Sequence, residues 1–262
     1  MNLLFSIIPQ LAWILSDHKI TGTIFLTLQL WFFALTRKLF GAKNDFLITG
    51  RYVTGPVKFY LRYVMDIAVL REVFINKEYA WCPIENPKII VDLGAHFGDT
   101  TLYYYVRFPN ATIIAVEPSP ENYSRLIKHT SAIANIKPVQ AAVGASNGTI
   151  ELNLGLSSLG HSVMVRKDSL QSVTVPLITL NDLLNQNAID KADLIKFDVE
   201  GAEFDIFKSI NPADYSKAYI GEIHFDLGTV TKQEFETWFE DFSMQWTQIR
   251  TDRYLFNAIV KI

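Results

Sequence analysis

At 262 residues, with 49% hydrophobic and 19% charged side chains, the chain fits one domain, or one domain with an extension, and can bury a sizeable core. A formal net charge of -3 argues against nucleic acid as the main partner. The single Cys82 excludes an intrachain disulfide and a cysteine zinc cluster, and it suits a reducing, cytoplasmic compartment.

Residues 1–16, "MNLLFSIIPQLAWILS", carry no charge, and residues 20–36, "ITGTIFLTLQLWFFALT", carry none before Arg37 and Lys38. No Lys or Arg precedes Lys19 and no small-residue cleavage site follows, which argues against a cleaved leader. The second run is at the lower edge of what spans a bilayer and is weakened by threonines, Gly22 and Gln29. Residues 1–66 hold seven Lys/Arg and three Asp, a net of +4, so the remainder carries -7. The stripe Ile24, Leu28, Trp31, Phe32, Leu35 and Leu39 is expected first to pack on the domain that follows or on a second copy in a homodimer. A basic, aromatic, apolar segment over residues 1–40 also suits the surface of an anionic membrane, on its cytoplasmic face. If it spanned, Arg37 and Lys38 would hold the rest of the chain on that side.

Residues 1–45 are therefore expected as a hydrophobic helical extension and 46–87 as a mostly helical lead-in that begins with a turn-rich connector and ends between Pro83 and Pro87. Residues 88–262 form the main domain. There "KIIVDL", "ATIIAVE" and "KPVQAAVG" read as buried parallel strands, with helical periodicity over 98–108 and 119–131. This alternation predicts a doubly wound α/β sheet with right-handed crossovers. "GTIELNLG" and "QSVTVPLI" read as a hairpin-like insertion joined by a polar loop that contains His161. Thr179 is a predicted N-cap before "LNDLLNQ". "ADLIKFDVEGAEFDIFKSI" reads as strand, turn and helix, "NPADYSK" as a turn and "KAYIGEIHFD" as a strand. The helix "TKQEFETWFEDF" and two final strands complete the chain.

"VDLGAHFGDTT", at the end of the first strand of this domain, places Asp92, Gly94 and Gly98 as D-x-G-x-x-x-G rather than the dinucleotide fingerprint G-x-G-x-x-G. A pyrophosphate needs closely set glycines, whereas a cofactor without that group can be held with fewer. Nineteen residues beyond Gly98, Glu117 closes the second strand, where a carboxylate accepts hydrogen bonds from ribose hydroxyls. The pair indicates an adenosyl cofactor. In a doubly wound sheet, ligands sit at the carboxyl ends of the strands where strand order reverses, which brings Asp198 and Glu200 together with Glu222 and His224. If S-adenosylmethionine is the cofactor, these carboxylates offset its charge, and one of them or His224 takes a proton from a hydroxyl acceptor. The same four residues could instead hold a divalent cation, a reading not favoured here. A nicotinamide-dependent oxidoreductase and a catalytically inactive membrane-associated module of the same fold are the alternatives, and the first is disfavoured by the missing middle glycine.

"IIVDLGAHFGDTTLYY", "IIAVEPSPENYSRL", "VQAAVG", "LIKFDVEGAEFDIF" and "GEIHF", in this order over roughly residues 66–227, resemble the FkbM-type family of S-adenosylmethionine-dependent methyltransferases. The resemblance implies the Rossmann-like, mostly parallel seven-stranded methyltransferase sheet with an antiparallel C-terminal strand. It implies an O-methyltransferase acting on a sugar, glycan, glycolipid or related secondary product. It also implies that Asp92, Gly94, Ala95, His96 and Gly98 line the methionine side of the cofactor, Glu117 and Pro118 the ribose side, and Ala142 and Val143 the adenine. Asp198 and Glu200 would then stand where cofactor and acceptor meet. Many members read "GANxG" where this chain has "GAHFG", which leaves the contact made by His96 open.

Overall fold

A computed structural model describes residues 2–41, 44–52, 55–154 and 171–261. The chain opens with helices α1 (Asn2–Leu15) and α2 (Ile20–Phe40). An antiparallel ribbon follows, β1 (Phe46–Tyr52) paired along its length with β2 (Gly55–Leu61). Helix α3 (Met65–Arg71) then runs into a π-helical turn at Glu72–Asn76. The expectation of a turn-rich connector and a helical start to the lead-in is thus corrected over 46–61. Ile48 and Tyr52 on one strand, and Val57, Phe59 and Leu61 on the other, are buried at every second position. That is the period of a half-buried strand, and Gly55 and Pro56 at the start of β2 hid it in the sequence.

The main sheet begins with β3 (Ile89–Leu93), α4 (Asp99–Arg107), β4 (Thr112–Val116), α5 (Pro120–Thr130) and β5 (Ile136–Val139). The run "KPVQAAVG" is not one strand: β6 (Ala142–Gly144) leaves the main sheet and pairs with β8 (Gln171–Thr179), which also pairs with β7 (Gly148–Leu154). The loop joining β7 to β8, with His161, lies outside the described residues. Thr179 caps α6 (Leu180–Gln186) through a bond from the Asp182 N–H, as expected from sequence. After β9 (Ala192–Phe197) and α7 (Glu203–Lys208), "NPADYSK" forms a short helix, α8 (Pro212–Tyr215), where a turn was expected. The chain ends with β10 (Ser216–His224), α9 (Lys232–Trp238), β11 (Phe242–Arg250) and β12 (Arg253–Val260).

The seven strands lie in the order β11-β12-β10-β9-β3-β4-β5, and β12, the last in sequence, runs antiparallel to both neighbours. From β3 the chain steps outward to β4 and β5, then returns to β9 on the other side of β3. The crevice between those two strand ends is where such a sheet binds ligands. Every residue of β9 is buried, as expected of a parallel strand covered on both faces. Ile90 and Leu194 join a core with α1, α2, the β1–β2 ribbon and α4, while Val91 and Ile195 join a second core with α6, α7 and α9. The N-terminal helices therefore share one continuous core with the sheet.

Candidate active site

Between β3 and β9 the strand ends frame a cavity of about 530 Å³, within the range of small-molecule sites. Gly94, His96, Glu117, Pro118, Ala142, Val143 and Asp198 line it, as do Glu200 and Glu222. Asp92, Ala95, Gly98 and His224, expected from sequence to contribute, stand behind this lining. The turn after β3 explains why. Asp92 is fully buried, and its carboxylate accepts hydrogen bonds from the hydroxyls of Thr100 (2.8 Å) and Thr101 (2.7 Å), with Lys196 Nζ 3.2 Å away. It fixes the start of α4 against the strand rather than facing the cavity. Ala95 is buried in the core, and Gly98, at φ +97°, is the left-handed residue from which α4 starts, against Leu126.

Gly94 makes the tight approach. At φ +76°, a Cβ there would stand 1.9 Å from the carbonyl oxygen of Asp198, so only glycine lets the two strand ends close. His96 also has positive φ, 51°. Asparagine and histidine both enter the left-handed region more readily than most residues, which gives a backbone reason for histidine where the family pattern has asparagine. Its Nδ1 stands 3.4 Å from Asp99, and its Nε2 is buried without a hydrogen-bond partner.

Glu117 ends β4 with one carboxylate oxygen on the His96 N–H and the other on the Ser119 N–H, both at 2.9 Å. Burial pushes its carboxyl above the usual range, against the pull of His96 and these two N–H groups. The Asn122 side chain is a third donor to this carboxylate, and the lone-pair capacity that remains faces the cavity.

The other end of the cavity is acidic. The turn "DVEGAE" places Glu200 at φ 52° and Gly201 at φ 105°, which aims Asp198 and Glu200 inward and starts α7 at Glu203. Glu203 is fully buried and accepts bonds from the Gly201 N–H (2.8 Å) and His224 Nδ1 (2.7 Å). On its far side, His224 Nε2 faces Glu222 at 3.5 Å, Glu200 at 3.8 Å and Asp198 at 4.0 Å. Burial of the ring opposes a charge there, yet the bond to Glu203 and the surrounding carboxylates push its pKa up to about 10. His224 is therefore an imidazolium at neutral pH and cannot accept a proton, which corrects its expected role as a base. Glu222 changes in the opposite sense. Burial and then the charge of Asp198 push it up to about 7, although His224 and Arg253 pull it down. It keeps 16% side-chain exposure toward the cavity.

Sequence reasoning missed several residues here. Tyr79, from the lead-in, donates to Asp198 at 3.0 Å, and its hydroxyl is held protonated, first by burial and then by Asp198. Lys196, buried in β9, donates to the Gly94 carbonyl at 2.8 Å; burial would lower its pKa, but Asp92 and Asp198 hold it above the usual value. A lysine near the end of a buried strand, and the second glutamate three residues after Glu200, were the signals available for Lys196 and Glu203. Glu72, pushed up to about 7 by burial and then by Glu78, also lines the cavity with Arg250 and Arg253. Nothing local marks these residues. Asp198, Glu200 and His224 also offer ligand atoms within 4.8 Å of one another, a spacing fit for a divalent cation. A protonated His224 has no lone pair to give, so a metal would have to displace that proton.

A doubly wound sheet with this strand order, an unsplit glycine turn and an acidic mouth defines a Rossmann-like methyltransferase. Residues 92–246 match the family described as "Methyltransferase FkbM domain", and the chain belongs to that family. The nicotinamide-dependent alternative is thereby set aside. The chain is similar to methyltransferase sdnD of Sordaria araneosa, 27% identical over 65% of this chain and 74% of that protein. It is also similar to the hexuronic acid methyltransferase AglP of Haloferax volcanii, 26% identical over 56% of this chain and 62% of that one. The 31-O-demethyl-FK506 methyltransferase FkbM of Streptomyces tacrolimicus is 22% identical over 59% and 73%. Among solved structures, a fibrillarin/Nop5p complex shares the fold, with a TM-score of 0.51 at 16% identity over 83% of this chain and 98% of that chain.

Proposed function

We propose that the chain is an S-adenosylmethionine-dependent O-methyltransferase acting on a hydroxyl of a sugar, glycan or glycolipid. The observation that carries this reading is Glu222, a carboxylate poised near neutral pKa at the cavity wall and backed by an imidazolium. The residues present fit the cofactor. Glu117 keeps acceptor capacity for a ribose hydroxyl, Ala142 and Val143 offer an apolar bed for adenine, and the unpartnered His96 Nε2 marks unused polar capacity beside the turn. When bound, S-adenosylmethionine supplies a methyl group on a positively charged sulfur.

That charge suits the acidic end. Asp198, Glu200, Glu203 and Glu222 bring four negative charges against two positive ones, His224 and Arg253, when all are ionised. The cluster can therefore take up one more cation. Glu222 receives the proton of the acceptor hydroxyl as its oxygen becomes the nucleophile. His224 sets a positive charge among the neighbouring carboxylates and Tyr79 fixes Asp198. Glu72, Glu78, Arg250 and Arg253 provide the acceptors and donors that a polyhydroxylated molecule requires. Of the relatives above, the 31-O-demethyl-FK506 methyltransferase is named for methylation at an oxygen and AglP for a sugar acid, and both support this class of substrate.

Isothermal titration tests the cofactor first: S-adenosylmethionine or S-adenosylhomocysteine should bind one per chain at or below tens of micromolar, on the scale of ordinary enzyme constants. No heat in that range would overturn the reading. Mass spectrometry of glycans and glycolipids incubated with the protein and cofactor should then show a gain of one methyl group. Cofactor binding with no methylated product would favour the inactive module.

A further inference from the structure

The stripe of α2 expected to pack on the main domain does the opposite. Ile24, Leu28, Phe32, Leu35 and Leu39 recur at helical spacing, and all are exposed, Leu28 at 64% and Phe32 at 59%. The packed face is the other one, where Leu26, Leu30, Phe33 and Ala34 enter the core shared with the sheet. Phe25, at 61%, widens the exposed stripe, and the patch continues onto α1, where the exposed Phe5 ring lies 4.6 Å from that of Trp31, tilted by 51°. Far fewer large apolar side chains are normally left to water in one place.

We propose that this face lies flat in the interface of an anionic membrane, as a monotopic anchor on the cytoplasmic leaflet. Three observations point there. First, the apolar surface is one-sided, the signature of an in-plane helix; to span a bilayer, α2 would have to pull Leu26, Leu30 and Phe33 out of the protein core. Second, no charged residue interrupts the stripe between Lys19 and Arg37, while exposed Lys19 and Lys38 stand near its two ends, at the level of lipid headgroups. Third, residues 1–66 carry +4 while the rest carries -7, so the protein is polarised toward an anionic surface. Because α1 packs on α3 and the π-helical turn, which contribute Val69, Glu72 and Val73 to the cavity, the anchor rests directly on one wall of the active site.

Vesicle flotation of the full chain tests this. The protein should float with vesicles of phosphatidylcholine and phosphatidylserine and much less with phosphatidylcholine alone. Leu28→Asp together with Phe32→Asp should abolish flotation while leaving the melting temperature and cofactor binding intact, since both side chains face outward. Lys19→Gln with Lys38→Gln should weaken binding to the anionic vesicles on the order of 25-fold, from two basic residues near the surface. Failure to float, or flotation indifferent to the two aspartates, would overturn the proposal. So would a soluble dimer that ignores vesicles and becomes monomeric in the aspartate variant, which would assign the face to a second copy.

Discussion

The two ends of the cavity grow from strands on either side of β3 in one sheet, yet they hold their carboxylates differently. At the β4 end, Glu117 is held by two backbone N–H groups and the Asn122 side chain, and it borders the cavity. At the β9 and β10 end, Asp198, Glu200 and Glu222 crowd around a single imidazolium, and their charges compete. A carboxylate held by backbone donors is a fixed receptor for hydroxyl groups. One held in a like-charged cluster is a group whose proton affinity can be tuned toward neutrality. The contrast teaches that binding and transfer are divided between the two ends, and substitutions at each end can break that division.

The largest effect is expected at Glu222. Glu222→Gln removes a proton acceptor without changing shape, and turnover should fall by about 10²- to 10⁴-fold while cofactor affinity stays within a few-fold. In the wild type, turnover should rise with pH as Glu222 ionises, with an inflection at or below about 7, because a bound cation lowers that value further. Equal losses of turnover and cofactor affinity would end the proposed division.

The next effect is structural. Glu203→Ala leaves the buried His224 without its principal partner and should cost about 3–5 kcal/mol, read as a fall in melting temperature. The pH dependence has a definite sign. The folded-state pKa of His224, about 10, exceeds the ordinary 6.5, so its contribution to stability is complete below pH 6.5 and is lost as pH rises toward 10. The shape-conserving Glu203→Gln should move the His224 titration, followed by NMR, down from about 10. An unmoved titration would show that Glu203 is not what holds the charge.

Glu117→Ala should weaken S-adenosylmethionine by about 10- to 100-fold in titration calorimetry, the worth of one or two hydrogen bonds to a charged group. Turnover at saturating cofactor should change little. The smallest effect is at the seam between the two ends: Tyr79→Phe frees Asp198 from one hydrogen bond and should lower kcat by about two- to tenfold without changing cofactor affinity. A large loss of cofactor there would move Tyr79 to the binding end.

Much of the cofactor end was legible in the residues. The alternation of apolar runs and helical stretches, Gly94 at the first strand end and Glu117 at the second are local features, and a doubly wound sheet brings them together by topology. Asp92 was legible as part of that motif but not as its buried support, since nothing local shows that Thr100 and Thr101 will turn back on its carboxylate. At the acidic end, the residues were legible and their states were not. The same His224 reads as a base from its type and as a fixed cation from its neighbours, because a pKa depends on burial and on charges brought close by other segments. Glu203 lies within the same short turn as Asp198, yet only the start of α7 directs it back to the ring.

The sequence by itself determined the strand and helix alternation of residues 88–262, the unsplit glycine turn and the acidic strand ends, because each depends on spacing along the chain. The tertiary structure alone decided that 46–61 is a ribbon, that Tyr79 and Glu72 reach the cavity, and that α2 turns Leu26 and Leu30 inward and Leu28 and Phe32 outward. Both faces of that helix are apolar, so periodicity could not choose between them. The core beneath it could, because only one face fits against α1 and β1.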